Sequence, residues 1–195
     1  FTEDGHCHIG DNDKTCQILS KIALSHAKAG ADIVAPSDMM DGRIFFIKNS
    51  LKENNLNQTK ILSYAAKYAS NFYGPFRDAT DCAPKTGDRK TYQMDYANSN
   101  EAMLEIATDI EEGANQIMIK PAMAYLDIIA NAKHNFSIHL VAYNVSGEYR
   151  MIKDAIEKGY AKEDLIIETL TSIKRAGANK IVSYFTPYIL NKGSI

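Results

Sequence analysis

The stretch Gly113-Ala114-Asn115-Gln116-Ile117-Met118-Ile119-Lys120-Pro121 has the order expected of a helix end, a buried strand and a lysine at the strand's exit. Gly113 follows an apolar run with helical spacing, which is where a glycine commonly ends a helix. Residues 117–119 form a short, continuous apolar run, as in a strand that is covered on both faces. Lys120 ends that run, and Pro121 cannot donate a further ladder hydrogen bond. The stretch therefore predicts a buried parallel strand with a lysine at its carboxyl end.

The same Gly-Ala-Asp/Asn turn occurs at three places in the chain. Ala29-Gly30-Ala31-Asp32-Ile33-Val34 and Ala176-Gly177-Ala178-Asn179-Lys180-Ile181 repeat the pattern of residues 112–117. The unequal spacing of the copies excludes a solenoid repeat. Each copy instead fits the αβ turn of a parallel sheet, in which a helix ends and the next strand begins.

Hydrophobic periodicity predicts five strands that alternate with helices. The predicted strands are 32–36, 61–65, 117–119, 138–145 and 180–184. The predicted helices are about 13–29, 42–53, 98–112, 124–134, 149–158 and 162–176. Residues 66–98 lack clear periodicity and are predicted to form a long functional loop. Polar residues gather after the strands, where both open α/β sheets and (β/α)8 TIM barrels keep their chemistry. The predicted fold class is α/β, as the last five or so βα units of such a barrel.

Length and composition restrict the class of protein. The chain has 195 residues, and residues 1–195 are predicted to form a single catalytic domain. A net charge of −2 argues against a general binder of nucleic acid or anionic membranes. No apolar run approaches the roughly 20 residues that span a bilayer. The three cysteines show no CxxC pairing, which favours a cytoplasmic location or an organelle interior. The polar opening without an initiator methionine, together with only five predicted strands, predicts that an N-terminal portion with the first strands of the barrel is absent.

Two lysines follow predicted strands, Lys67 and Lys120. Neighbouring cations in a water-poor site lower each other's pKa, and a neutral amine can attack a ketone to form a Schiff base. Arg77 and Arg89 lie in the long loop, and arginine binds carboxylates in a bidentate manner. This pattern indicates a small keto acid as substrate. The alternative is that the lysines reach solvent along their apolar stems and that the loop arginines are solvated.

Three further side chains, those of Ser37, Ser146 and Tyr184, lie at strand exits. Each could hydrogen-bond a substrate, and each serine could equally cap a following helix. Cys7 stands between two histidines and could supply a metal ligand, although a surface loop explains this triplet as well.

Several long motifs, in the same order, resemble the porphobilinogen synthase (5-aminolevulinate dehydratase) family along essentially the whole chain. These motifs are Asp4-Gly5-His6-Cys7, Val34-Ala35-Pro36-Ser37-Asp38-Met39-Met40-Asp41-Gly42-Arg43, Ser63-Tyr64-Ala65-Ala66-Lys67, Phe72-Tyr73-Gly74-Pro75-Phe76-Arg77-Asp78-Ala79, Gly87-Asp88-Arg89-Lys90-Thr91-Tyr92-Gln93-Met94, Met118-Ile119-Lys120-Pro121 and Tyr143-Asn144-Val145-Ser146-Gly147-Glu148-Tyr149. Members of that family are (β/α)8 barrels that condense two molecules of 5-aminolevulinate to porphobilinogen in heme biosynthesis. The resemblance therefore implies a lyase with this substrate.

The resemblance also implies a role for each candidate residue. Lys120 would form the Schiff base with the substrate of the propionate-side site, and Lys67 would hold or also bind covalently the other substrate. The remaining substrate-binding residues that it implies are Arg77, Arg89 and Gln93 on the acetate side, Ser146 and Tyr184 at the propionate-side carboxylate, and Tyr73 and Phe76 as pocket walls. Ser37 remains a further substrate-binding candidate from its position at a strand exit.

A metal, but no organic cofactor, is implied by the same resemblance. Cys7 matches the third of three zinc-binding cysteines, and Glu105 matches the carboxylate of an activating magnesium site. Full-length members form homo-octamers through their N-terminal arm. Two alternatives remain open: a Schiff-base barrel enzyme of another kind, such as an aldolase, and a residual fragment that folds without catalysis.

Overall fold

The computed structural model describes residues 11–81 and 89–193. The helices are α1 (Asn12–Lys28), α2 (Arg43–Glu53), α3 (Gly74–Thr80), α4 (Asn100–Glu111), α5 (Leu126–Asn135), α6 (Ser146–Glu157), α7 (Asp164–Ala176) and α8 (Thr186–Lys192). The strands are β1 (Ile33–Val34), β2 (Lys60–Lys67), β3 (Gln116–Lys120), β4 (His139–Asn144) and β5 (Lys180–Ser183). They form one five-stranded sheet in chain order, and the predicted βα alternation is confirmed.

The main differences from the sequence prediction are two additional helices and an earlier start of α6. The loop predicted for residues 66–98 contains helix α3 and a short 3₁₀ turn at Asn71–Tyr73. Helix α8 was not predicted, and helix α6 begins at Ser146 rather than at Tyr149. Helices α3 and α8 have seven residues each, which is too short for a helical period to stand out.

The described residues divide into two compact units. The first comprises residues 11–69 and 89–118, and the second comprises residues 70–81 and 119–193. This division does not test whether residues 1–195 form a single catalytic domain, which stays a prediction. Within the described residues, no helix has both the length and the apolar character needed to cross a bilayer.

The core of the first unit forms where α1 and α2 cover β1 and β2. Strand β1 pairs in parallel with β2 through Ile33 with Lys60 and Val34 with Ile61. The buried core members share aliphatic side chains at helical or strand spacing: Ala23, Ala27, Val34, Ile44, Ile47, Leu51 and Ile61. Burial of such side chains stabilises the unit by about 25 cal/mol for each Å² of apolar surface removed from water.

The core of the second unit lies among α6, α7 and α8. Ile152, Ile166, Phe185 and Ile189 are buried together, with the rings of Tyr149 and Tyr188 packed against them. Strands β4 and β5 pair in parallel from Val141 with Lys180 to Asn144 with Ser183. Their carboxyl ends therefore lie side by side, which places the residues after both strands on one edge of the sheet.

The recurring Gly-Ala-Asn turn has the same hydrogen-bonding geometry in both units. The Asn115 side-chain oxygen Oδ1 accepts a hydrogen bond from the Ile61 backbone N–H. The backbone N–H of Asn115 donates one to the Ile61 carbonyl oxygen, and both bonds are 2.9 Å long. Asn179 makes the same pair of bonds with Leu140, at 2.9 Å and 2.8 Å. The glycine before each asparagine has a positive φ, +107° at Gly113 and +128° at Gly177, which an L-residue rarely adopts. The turn thus ends a helix and fixes the register of the next strand at once.

Candidate active site

Lys120 ends β3, as the sequence predicts, and its ammonium group lies near two aromatic rings. The Nζ atom is 4.6 Å from the ring centroid of Tyr143 and 5.0 Å from that of Tyr73. The Tyr73 hydroxyl donates a hydrogen bond of 3.2 Å to the Lys120 carbonyl oxygen. The two rings attract a cation, and Lys120 is half-buried. The amine therefore lies beside aromatic rings at the carboxyl end of a parallel strand, where barrel enzymes carry their catalytic groups.

Arg77 and Tyr73 share the segment that contacts Lys120. Arg77 lies on α3, with its guanidinium carbon 5.4 Å from the centroid of the Tyr73 ring. Tyr73 is buried, whereas Phe76 keeps 43% of its surface exposed. The structure therefore brings Lys120, Tyr73 and Arg77 into one cluster, with the amine and the guanidinium on the same tyrosine.

Ser146 connects the start of α6 to the segment that carries Tyr73. Its hydroxyl oxygen accepts a hydrogen bond from the Phe76 backbone N–H at 3.0 Å and donates to the Phe72 carbonyl at 3.4 Å. Because both bonds go to backbone groups, Ser146 holds the beginning of α3 in place. The hydroxyl of Ser146 does not cap α6, whose N-cap residue is Val145; its role in binding a substrate stays a prediction.

Gly147 allows the close approach of this segment to α6. A Cβ atom at Gly147 would lie 2.5 Å from the Phe72 carbonyl oxygen and 2.7 Å from its Cα. Both neighbours are backbone atoms and cannot move aside as the end of a flexible side chain can. Only glycine therefore fits between α6 and the turn that places Tyr73.

We expect Gly147→Ala to lower the free energy of unfolding by roughly 1–3 kcal/mol, the usual cost of overpacking. The matched control is Gly74→Ala, because Gly74 has a helical φ of −47° and open space within 4 Å of its Cβ position. Alanine there meets no neighbouring element and bears only the restriction that Pro75 places on a preceding helical residue, so we expect a smaller loss than at Gly147. Urea unfolding followed by circular dichroism compares the two variants. Equal midpoints for both would contradict the close approach.

Lys67, the second predicted lysine, is the last residue of β2 in the first unit. It is buried, with 8% of its surface exposed, and its Nζ donates a hydrogen bond to the Ser37 carbonyl oxygen. The Nζ atom also lies 5.9 Å from the ring centroid of Tyr64. The structure thus brings together Lys67 and Ser37, two of the predicted site residues, through the backbone of the loop after β1.

A buried ion network fixes that same loop, and its central residue, Arg43, was not among the predicted site residues. The Arg43 guanidinium bonds Asp109 at 3.1 Å and 3.5 Å and Ser63 at 2.9 Å, and its Nε lies 3.4 Å from an Asp38 oxygen. Arg43 and Asp109 are 1% and 2% exposed. Burial raises the pKa of Asp109, while the charge of Arg43 opposes this effect. The network joins the loop after β1 to β2 and α4.

Gln93 and Glu105 line a cleft of the first unit, of about 320 Å³. Gln93 is 4% exposed, and within the described residues neither its amide oxygen nor its amide nitrogen has a hydrogen-bond partner. Burial, with the nearby charges of Asp109 and Asp41, raises the pKa of Glu105. An unpaired buried amide and a destabilised carboxylate are both groups that a polar ligand or a cation would satisfy.

The remaining predicted residues are Arg89, Tyr184 and Cys7. Arg89 begins the turn that leads to Gln93, and its carbonyl accepts the Gln93 backbone N–H at 3.0 Å. Tyr184 follows β5 and is 41% exposed, with its ring 5.6 Å from that of Tyr149. Cys7 lies outside the described residues. Across residues 11–81 and 89–193, no group of three His, Cys, Asp or Glu side chains is placed to hold a metal ion.

Comparison with known proteins gives a consistent family match. The sequence profile of the family described as delta-aminolevulinic acid dehydratase matches residues 1–192. The protein of that name from Methanothermobacter thermautotrophicus is 55% identical over 195 residues, which cover 97% of this chain and 60% of that protein. The Bacillus subtilis protein of the same name is 50% identical over 190 residues, covering 94% of this chain and 59% of that protein.

A solved structure supports the same match in three dimensions. Delta-aminolevulinic acid dehydratase (porphobilinogen synthase) from Toxoplasma gondii, in complex with its reaction product porphobilinogen, superposes with a TM-score of 0.89 at 47% identity. The match covers 95% of this chain and 55% of that chain. The predicted fold, part of a (β/α)8 barrel, is thereby confirmed. The chain spans about 60% of the length of the curated relatives described above.

Proposed function

Because the chain belongs to the delta-aminolevulinic acid dehydratase family, we propose that it carries the lysine-bearing part of a porphobilinogen synthase. The proposed reaction condenses two molecules of 5-aminolevulinate to porphobilinogen in heme biosynthesis. The motifs that suggested this family from the sequence are consistent with the match. Since the relatives are longer, the activity, the substrate and the partners are all part of the proposal.

The observation that carries the proposal is the setting of Lys120. Its amine lies near the rings of Tyr73 and Tyr143, at the carboxyl end of a strand. In the proposed first step the neutral amine adds to the ketone carbon of 5-aminolevulinate. The carbinolamine then loses water, with the lysine nitrogen joined to the former ketone carbon as an imine. The step needs the neutral amine, because the ammonium form has no lone pair, and partial burial of Lys120 favours the neutral form.

The other substrate contacts are proposed from the family resemblance. Lys67 would hold or bind the second substrate molecule, with Ser37 beside it, and Arg77, Arg89 and Gln93 would bind its polar groups. Tyr73 and Phe76 would form pocket walls. Tyr184 and Ser146 would bind the carboxylate of the substrate attached to Lys120. Ser146 would then have to turn its hydroxyl proton from the Phe72 carbonyl to that carboxylate.

A magnesium ion at Glu105 fits the donor chemistry of the described residues. Glu105, Asp41 and Glu101 line the cleft without forming a three-carboxylate metal site. The amide of Gln93, which has no hydrogen-bond partner among the described residues, lines it as well. Mg²⁺ keeps most of its waters and needs only one or two carboxylates. When bound there, it would supply positive charge that favours the ionised form of Glu105.

Zinc at Cys7 remains a proposal from the family resemblance. Cys16 does not replace it as a ligand, since burial raises the pKa of this thiol to about 11 and its proton is donated to the Asp41 carbonyl at 3.3 Å. A homo-octamer and a cytoplasmic or organellar location are likewise part of the proposal, supported by the family and by the cysteine pattern.

The experiment that tests the proposal is borohydride trapping. The chain is incubated with 5-aminolevulinate, reduced with borohydride and digested, and the modified peptide is identified by mass spectrometry. We expect the adduct on Lys120. Parallel incubation with dihydroxyacetone phosphate or pyruvate tests the aldolase alternative. No adduct from any substrate would favour a fragment without catalysis, and an adduct only at surface lysines would refute the role of Lys120.

A further inference from the structure

The carboxylate of Glu148 is buried at the start of α6 and has no role in the reaction proposed above. It is 1% exposed. Its Oε1 accepts hydrogen bonds from the backbone N–H groups of Ala122 at 3.1 Å and Met123 at 2.7 Å. Its Oε2 accepts from the Asn144 side-chain amide at 3.1 Å and from the Val145 N–H at 2.8 Å. Four donors therefore converge on one carboxylate.

These four donors belong to the two loops that frame Lys120. Ala122 and Met123 are the second and third residues after Lys120, separated from it by Pro121. Asn144 and Val145 follow Tyr143, whose ring lies 4.6 Å from the lysine Nζ. One carboxylate thus fixes the backbone just beyond the lysine and just beyond a ring that contacts it.

The network extends to the next strand of the sheet. The Asn144 Oδ1 atom accepts a hydrogen bond of 2.8 Å from the Ser183 hydroxyl, and the Ser183 oxygen accepts from the Phe185 N–H at 3.1 Å. Glu148 therefore connects the carboxyl ends of β3, β4 and β5. It does so only as an acceptor, since all four of its partners are donors.

The ionised form of Glu148 is the one that this geometry requires. An ionised carboxylate has about four acceptor sites, all of which are used here. Burial raises the pKa of Glu148, and the hydrogen bonds from Val145, Met123, Asn144 and Ala122 oppose that effect. Glutamine at this position would direct an NH₂ group at N–H donors, so two of the four bonds would be replaced by donor–donor contacts.

We propose that Glu148 is a positioning residue for Lys120, holding the lysine and the Tyr143 ring in the arrangement that imine formation needs. This inference rests on the proposed function of Lys120. A displacement of about 1 Å at a reacting group can lower a rate up to about a hundredfold, so the role has a kinetic signature.

The test compares three variants with the unsubstituted chain. Glu148→Gln keeps the size and removes the charge, and Glu148→Asp keeps the charge on a shorter side chain. Glu157→Gln is the matched control, because Glu157 is an exposed residue of the same helix. The initial rate of borohydride-trapped labelling at Lys120 is measured over a range of 5-aminolevulinate concentrations, with folding checked by circular dichroism.

We expect the maximal labelling rate to fall roughly ten- to a hundredfold in Glu148→Gln, with a smaller change in the half-saturating concentration. Glu148→Asp should lie between this variant and the unsubstituted chain, and Glu157→Gln should match the unsubstituted chain. A folded Glu148→Gln variant that is labelled at the full rate would overturn the inference. If this variant does not fold, a Glu148→Asp variant with unchanged rate and unchanged amide exchange would overturn it.

Amide hydrogen exchange separates this inference from the proposed function. If the unsubstituted chain is not labelled at Lys120, the proposed function fails. The exchange of the Ala122, Met123 and Val145 amides then tests Glu148 by itself. The single amide oxygen of Glu148→Gln can serve only one pair of donors, so either the Ala122 and Met123 amides or the Val145 amide should exchange about tenfold faster or more. The Ile189 amide, bonded within α8, should not change.

Discussion

Replacing Lys120 by alanine is expected to abolish the borohydride-trapped adduct of 5-aminolevulinate, with labelling reduced at least about a hundredfold. The covalent step at this strand end requires a nitrogen lone pair, which alanine does not supply. The measurement is the labelling of intact protein by mass spectrometry, followed by peptide mapping. Lys162→Ala is the control, because Lys162 is an exposed lysine of the same unit.

Lys120→Arg separates the nucleophile from the positive charge. Arginine can keep a cation near the rings of Tyr73 and Tyr143, but its guanidinium does not form the imine because it stays protonated. We therefore expect Lys120→Arg to fold like the unsubstituted chain and to lose the adduct as completely as Lys120→Ala. Persistent labelling of either variant at the unsubstituted level would show that another lysine is the nucleophile.

Replacing Arg43 by methionine is expected to lower the free energy of unfolding by about 3–5 kcal/mol. The substitution leaves the carboxylate of Asp109 buried without its counter-charge, and Asp109 is 2% exposed. It also removes the hydrogen bond of 2.9 Å to Ser63. Urea unfolding of the chain, followed by circular dichroism, measures the effect. An exposed ion pair, Lys192 with Glu163, provides the control, since Lys192→Met should leave the unfolding midpoint nearly unchanged.

A double-mutant cycle identifies the cause of that loss. If the cost comes from the uncompensated charge, Arg43→Met combined with Asp109→Leu should be more stable than Arg43→Met alone, because the buried carboxylate is then removed as well. Strictly additive losses would contradict this explanation. The carboxylate of Asp38 loses its neighbouring positive charge in both variants, because its oxygen lies 3.4 Å from the Arg43 Nε. Part of the stability loss should therefore remain in the double variant.

Local sequence patterns were sufficient for the main elements of the fold. The strand before Lys120 is a continuous apolar run, and the turn before it contains a glycine that needs a positive φ. These are properties of a few neighbouring residues and depend little on the rest of the chain. Helix α3 could not be predicted in this way, because it is short and starts with Gly74 and Pro75. Its start is held by Ser146, which lies 70 residues further along the chain from Phe76.

The same contrast between local patterns and distant contacts applies to the candidate site. The lysines could be predicted because each ends an apolar strand, and the family could be recognised because its motifs are contiguous in sequence. Arg43 and Glu148 lie inside two of those motifs, but neither was singled out as a site residue. Their partners are distant in sequence: Arg43 and Asp109 are 66 residues apart, and Glu148 and Ala122 are 26 residues apart.

The sequence by itself therefore determined the βα order, the strand-end lysines and the family to which the chain belongs. Only the tertiary structure decided what holds those lysines in place. A buried charge is tolerated only where several donors or an opposite charge converge on it. That convergence depends on contacts between elements, which no local pattern encodes. Lys120 could thus be placed at the end of a buried strand from nine consecutive residues, while the carboxylate that we propose to position it required the folded chain.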